Sequence, residues 1–209
     1  MRFLSTLTVF FLIGLTPVKA QAAHVTSKEI KLNLNTNKVA VIEGEINDAT
    51  ADKFGEQVAE TQYLPGPLLV LIDSPGGSVD AGQRILDTIK TEKLQHTQVI
   101  CLVVHHASSM AFNTLSTCDV RLATPGAFML CHKIATLGID CRNYRCTANH
   151  LREEADSMDV TDYSMSEVNR KALHMTKAEY NQIVDEEHVF FPSELLFRHY
   201  LHGIATVIK

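Results

Sequence analysis

Residues 69–90 read LVLIDSPGGSVDAGQRILDTIK, residues 99–115 read VICLVVHHASSMAFNTL, and residues 126–133 read GAFMLCHK. These three segments decide the fold. The run LLVLI at 68–72 shows no polar alternation, the pattern of a strand buried on both faces. Pro75 then fixes one φ angle, and Gly76 and Gly77 free the next two, so the chain turns at once. A helix over 78–93 follows, with Val79, Ile85, Leu86 and Ile89 as its inward stripe. The order repeats as a buried strand over 98–104, a turn at Ala107-Ser108-Ser109, and a short helix over 109–117. Strands over 120–123 and 127–132 complete the stretch, split by Thr124-Pro125-Gly126.

Outward from this centre the alternation continues. Residues 29–34, EIKLNL, alternate as a half-exposed strand, and 38–46 reads as a more buried one. Asn47-Asp48-Ala49-Thr50 supplies caps for a helix over 51–62. Downstream, 142–174 is long, polar and helix-prone. Thr176-Lys177-Ala178-Glu179 is a capping box opening a helix to about 184. An extended link over 185–191, a short helix over 193–200 and a strand over 204–208 close the chain. The pattern predicts an α/β domain with helices flanking a mostly parallel sheet. With no internal repeat and no low-complexity linker, residues 23–209 read as a single domain.

Residues 1–22 read differently. Arg2 precedes the apolar run FLSTLTVFFLIGL, Pro17 breaks it, and small residues up to Ala22 offer a cleavage site. That is the pattern of a secretory signal peptide, and the run is short for a span of about 20 residues. The expectation is a periplasmic or secreted protein. Cleavage removes Arg2 and Lys19 and no acid, taking the formal charge from −5 to −7. Such a balance gives no footprint for nucleic acid and no reason for binding to an anionic membrane.

An exported chain can keep disulfides. Of the five cysteines, Cys141 and Cys146 close most easily; Cys101 and Cys118 are a second pairing that spacing leaves open. Cys131 adjoins His132, but strand neighbours point to opposite faces, so Cys131 reads as a buried structural residue. Neither CxxC nor HExxH is present, and neither a metal nor a cofactor is expected.

The two turns share one chemical property. A loop that opens a helix presents backbone N–H groups to an anion, helped by the helix dipole. The first lacks the glycine spacings of nucleotide-binding loops. Ser109 at the second is by itself an ordinary N-cap candidate, and as a nucleophile it needs a base. Ten histidines are available, and spacing alone does not choose among them.

The segment Asp73-Ser74-Pro75-Gly76-Gly77-Ser78 resembles the SPGG segment of the Clp protease proteolytic subunit. Ala107-Ser108-Ser109-Met110-Ala111 resembles that family's nucleophile turn, and Phe128-Met129-Leu130-Cys131-His132 the strand ending in its catalytic histidine. Residues 39–46 resemble its opening strand, and 180–191 the segment supplying its aspartate. The resemblance spans about 38–205. It implies the ClpP/crotonase-like fold: repeated β-β-α units, a mostly parallel sheet and a long helix in the C-terminal half. It implies a serine peptidase with Ser109 as nucleophile, His132 as base and Asp185 as the acid that orients it. The amides of Gly77 and Met110 become the oxyanion hole, and Ser74, Pro75 and Gly76 line the peptide groove. It also implies homo-oligomeric rings built through the long helix.

The sequence departs from that family in the N-terminal pore loops, which have no obvious equivalent over 23–36, and at three places near the site. Lys133-Ile134 follows His132 where Gln-Pro is usual, His105-His106 replace small and polar residues, and the pattern after Asp185 is missing. Exported compartments lack ATP, so no ATPase partner is expected. The reading is an ATP-independent serine peptidase acting on peptides or unfolded proteins. Its alternative is a catalytically inactive ClpP-like binding or scaffold protein with Ser109 as a mere cap.

Overall fold

A computed structural model of the chain describes residues 29–33, 38–135 and 147–208. The proposed signal segment and the Cys141–Cys146 pair lie outside the described residues. Within them the chain folds as a mixed α/β domain around one sheet. Its strands are β1 (Glu29–Asn33), β2 (Val39–Glu43), β3 (Leu68–Ser74), β4 (Val99–Ser108), β5 (Val120–Ala123), β6 (Phe128–Leu130), β7 (Val189–Phe190) and β8 (Gly203–Ile208). The path runs β1-β8-β5-β4-β3-β2, with β6 on the far end of β4 and β7 on β6. Every pairing is parallel except β6 with β7.

The helices are α1 (Asp48–Thr61), α2 (Val79–Leu94), α3 (Met110–Thr117), α4 (Ala148–Ala172), α5 (Lys177–Asp185) and α6 (Pro192–Phe197). Their ends follow the residues that cap them. Asn47 accepts from Thr50 N–H at α1, and Ser78 from Ala81 N–H at α2. Thr176 and Glu179 form the expected capping box at α5. α6 stops at Phe197, short of the expected 200, because His199 turns to φ 57°.

Alternation along β3 and β4 sorts the two faces. Leu68, Val70, Ile72, Val99, Cys101 and Val103 join the main core under the helices, with Phe54, Ile85, Ile89 and Phe112. Each fully buried side chain of this size contributes on the order of 1.5–3 kcal/mol. Phe112 stacks on Tyr200 at 5.2 Å and on Phe190 at 6.1 Å, carrying the core out to the C-terminal elements. Among the described residues, the opposite face holds a smaller cluster of Leu69, Leu102, Leu122 and Ala205, with Val39, Leu71, Ile100 and Val120 partly buried against it.

Three elements differ from the sequence expectation in ways that matter for the site. β4 continues past Val104 to Ser108, because it leaves β5 at Val103↔Ala123 and finds β6 at His106↔Phe128. β6 ends at Leu130, leaving Cys131 and His132 beyond the ladder. Asp185 ends α5 rather than lying in an extended link, and only Val189–Phe190 is strand there. Two covalent and ionic ties hold the scaffold. The structure pairs Cys101 with Cys118, joining β4 to the end of α3. Lys38 and Glu92 form a buried ion pair at 2.8 Å.

Candidate active site

Ser109 is the single residue between β4 and α3. It stands at φ 54°, ψ −122°, far from the regions a non-glycine residue prefers, and its side chain makes no capping bond. The surroundings enforce this conformation: Ser109 N–H donates to Leu130 C=O at 2.8 Å, and Ser109 C=O receives Phe112 N–H at 2.9 Å. The hydroxyl is thus left free at the positive end of a helix. Met110, as the first residue of α3, has no intrahelical acceptor for its N–H.

The proline–glycine loop is pressed against this turn. Gly76 sits at φ 93°, and a Cβ there would come within 2.6 Å of both Ser108 O and Ser109 Cβ. Gly77 sits at φ 146°, and a Cβ there would run into the backbone of Ile46. Ile46 N–H donates to Gly76 C=O and Ser78 N–H to Ile46 C=O, both at 2.8 Å. In such a parallel bridge the amide between those partners points away, so the Gly77 N–H is turned from Ile46.

A narrow cleft of about 60 Å³ is lined by Gly77, Ser109, Met110 and His132, along with Val79, Asn113, Lys133 and Met165. Four of the sequence-predicted residues therefore meet in one place. Asn113 and Met165 were invisible to motif reading; both also border an apolar cavity of about 160 Å³ beside the cleft. The expected groove residues fall differently. Ser74 is buried and its Oγ accepts Gly76 N–H at 3.1 Å, so it shapes the loop. Pro75 is exposed and Gly76 buried.

The acid side is unlike the rest. His132 is half-buried and its Nδ1 lies 2.5 Å from the carbonyl oxygen of Lys133. Asp185 accepts from Lys133 Nζ at 2.6 Å, and both side chains are about 60% exposed. Lys133 thus occupies both groups: its carbonyl takes the imidazole and its ammonium takes the carboxylate. Glu186 accepts from Gln182 at 3.0 Å. Cys131, the neighbour of His132, is buried as expected, and that burial pushes its thiol up to about 11.

One family description, Clp protease, matches residues 21–196 of this chain. The chain belongs to the Clp protease family. The match includes Gly77, Ser109, Met110, His132 and Asp185. Curated relatives at about the same distance are ATP-dependent Clp protease proteolytic subunits. Subunit 2 of Prochlorococcus marinus strain MIT 9313 is 30% identical over 147 residues, covering 67% of this chain and 70% of the relative. That of strain CCMP1986 is 31% identical over the same length. The subunit of Ligilactobacillus salivarius is 30% identical over 122 residues, or 56% of this chain and 60% of its own. The mostly parallel sheet with flanking helices is the fold expected for this ClpP-like chain.

Proposed function

We propose that this ClpP-like serine peptidase is exported and hydrolyses peptide bonds without an ATPase, using Ser109, His132 and Asp185. The observation that carries the site assignment is the cleft in which the strained Ser109, the Met110 and Gly77 amides and His132 converge. Ser109 Oγ attacks the scissile carbonyl while His132 takes its proton. Negative charge grows on the carbonyl oxygen, facing the Gly77 and Met110 N–H groups and the start of α3. His132 then returns the proton to the leaving amine, and water releases the acyl group by the same steps in reverse. Asp185 orients the imidazole once it exchanges Lys133 for His132.

Export is supported by the apolar N-terminal segment and by the Cys101–Cys118 disulfide. Self-assembly is supported by α4: over 25 residues it buries only Asn169, and it leaves Val160 and Tyr163 exposed. The substrates are short peptides or unfolded chains.

The second reading, a catalytically inactive ClpP-like binding or scaffold protein, draws on the contacts that Lys133 makes with His132 and Asp185. A fluorophosphonate probe on the folded mature protein separates the two. Labelling of wild type and its absence in Ser109→Ala is the expected result. A folded protein that takes no label is a scaffold.

A further inference from the structure

The two strands that carry the candidate site are not joined by a continuous ladder. β3 and β4 pair residue for residue up to Ile72↔Val103, and the next pair is Ser74↔Ala107. A single residue of β3, Asp73, therefore faces Val104, His105 and His106 of β4. Within this bulge β4 changes partner from β5 to β6. The backbone bonds that set strand register are interrupted where both chains are about to turn into the site.

Side chains bridge the gap. Asp73 Oδ2 lies 2.6 Å from His105 Nδ1, and Oδ1 lies 2.7 Å from His106 Nδ1. Regular alternation would send two neighbouring histidines to opposite faces; the bulge brings both to one carboxylate. Charge-assisted bonds of this length are among the stronger polar contacts. His106 also stacks on Phe128 at 5.4 Å, which extends the tie to β6, the strand leading to His132. The Asp73 carbonyl accepts Gly44 N–H at 2.9 Å, binding the same residue to the end of β2. A direct carboxylate–imidazole clamp accounts for the contacts of all three side chains.

We propose that Asp73, clamped by His105 and His106, is a positioning residue that fixes the Gly76–Gly77 loop against the Ser109–Met110 turn. Asp73 lies four residues before Gly77 and His106 three before Ser109. The short segments between them are locked by Gly76 packed on Ser109, so a shift at the bulge passes to the cleft. A misplacement of about 1 Å is enough to cost roughly 100-fold in rate. The kinetic consequence rests on the peptidase reading above; the structural one does not.

The test combines hydrogen exchange with fluorophosphonate labelling, on wild type, Asp73→Ala, Asp73→Asn and the His105→Gln/His106→Gln pair, each checked for folding. In Asp73→Ala, the amides of the two turns exchange faster together, by about tenfold or more, while α5 is unchanged. Labelling slows about 100-fold, and peptide kcat falls with KM held within about twofold. The histidine pair gives the same losses, and combining it with Asp73→Ala adds little, because the three groups act as one. Asp73→Asn keeps a hydrogen-bonding head and recovers most of the rate. Unchanged exchange at the two turns in folded Asp73→Ala, or losses that multiply, overturns the proposal. If Asp73→Ala does not fold, the histidine pair, altering one exposed and one half-buried side chain, carries the same readouts. If wild type takes no label, the peptidase reading fails, and exchange at the two turns still decides the clamp.

Discussion

The two halves of the candidate site are built by different means. On the β3–β4 side, the geometry is held by backbone: Ser109 at an unfavourable φ, Gly76 pressed on it, Gly77 bridged to Ile46. On the β6–α5 side, it is held by side chains: the half-buried His132 on the Lys133 carbonyl, and the exposed Asp185 on the Lys133 ammonium. The first arrangement is fixed before substrate arrives, which is what electrostatic stabilisation of an oxyanion requires. The second rests on a surface ion pair, the weakest kind of polar tie. The exposed Lys133 contacts can rearrange at little cost, whereas the Ser109 and Gly77 turns are tied to β6 and to Ile46 by backbone hydrogen bonds.

The largest effect should come from damaging the fixed half. Gly77→Ala forces a Cβ into the Ile46 backbone at a φ that alanine avoids. The loop must shift, and the Gly77 amide leaves the cleft. Loss of one oxyanion donor costs about 10²–10³ in kcat. Labelling and peptide kinetics on folded Gly77→Ala should show that loss while KM changes little. Activity near wild type would mean that this amide is not a donor, and the fixed half would lose its meaning.

The same contrast holds for ion pairs. Lys38–Glu92 is buried beneath the scaffold, with side chains 3% and 6% exposed, whereas Lys133–Asp185 lies in solvent. Glu92→Leu leaves an ammonium buried without a partner, at a cost of roughly 3–5 kcal/mol. Denaturant unfolding should show that loss. Lys133→Met, measured in parallel, should leave the unfolding midpoint where it is. Equal effects would erase the distinction between a preset half and an adjustable one.

Much of the fixed half was legible in the sequence. The family resemblance, rather than spacing, grouped Gly77, Ser109 and Met110 with His132 of the other half, and all four line one cleft; LLVLI, the proline–glycine turn and the serine turn named β3, α2, β4 and α3. These are local signals, each within a few residues. What escaped depends on partners far away in the chain. His105 and His106 meet Asp73 only because β4 exchanges β5 for β6, which no spacing within β4 announces. Lys133 reaches Asp185 across 52 positions, and Asn169 of α4 bonds Asn113 across 56. The expectation that Asp185 lies in an extended link failed for a related reason. The capping box at Thr176 marks where α5 starts, and nothing so definite marks its end.

A pH scan gives a smaller effect and sharpens the contrast. Partial burial pushes the Asp73 carboxyl up, but hydrogen bonds and charge from His105 and His106 outweigh this and hold it below the ordinary value. A depressed carboxyl stabilises the fold above its unfolded value, about 3.9, and the contribution fades as pH falls through the folded value. Thermal unfolding of wild type and Asp73→Asn should differ at pH 6 and converge on acidification below about pH 4. A gap that persists to the acid end would mean that the carboxylate's charge contributes nothing to holding the bulge.

The smallest effect tests the adjustable half directly. If Lys133 holds Asp185 away from His132, Lys133→Met frees the carboxylate to reach the imidazole, and labelling of Ser109 should quicken a few-fold. The gain is small because an exposed ion pair is a weak restraint and substrate already opens it. The gain must vanish in Lys133→Met/Asp185→Asn, since it passes through that carboxylate. Continuing the antiparallel register past Leu130↔Val189 sets His132 opposite Glu187, which makes Glu187→Gln the necessary control. With Asp185 as the acid, Glu187→Gln changes nothing and Asp185→Asn slows labelling by about 10-fold or more. The reverse outcome would move the acid two residues along the chain. It would also leave the Lys133–Asp185 pair as surface decoration, with the imidazole orientation set by the β6–β7 ladder instead.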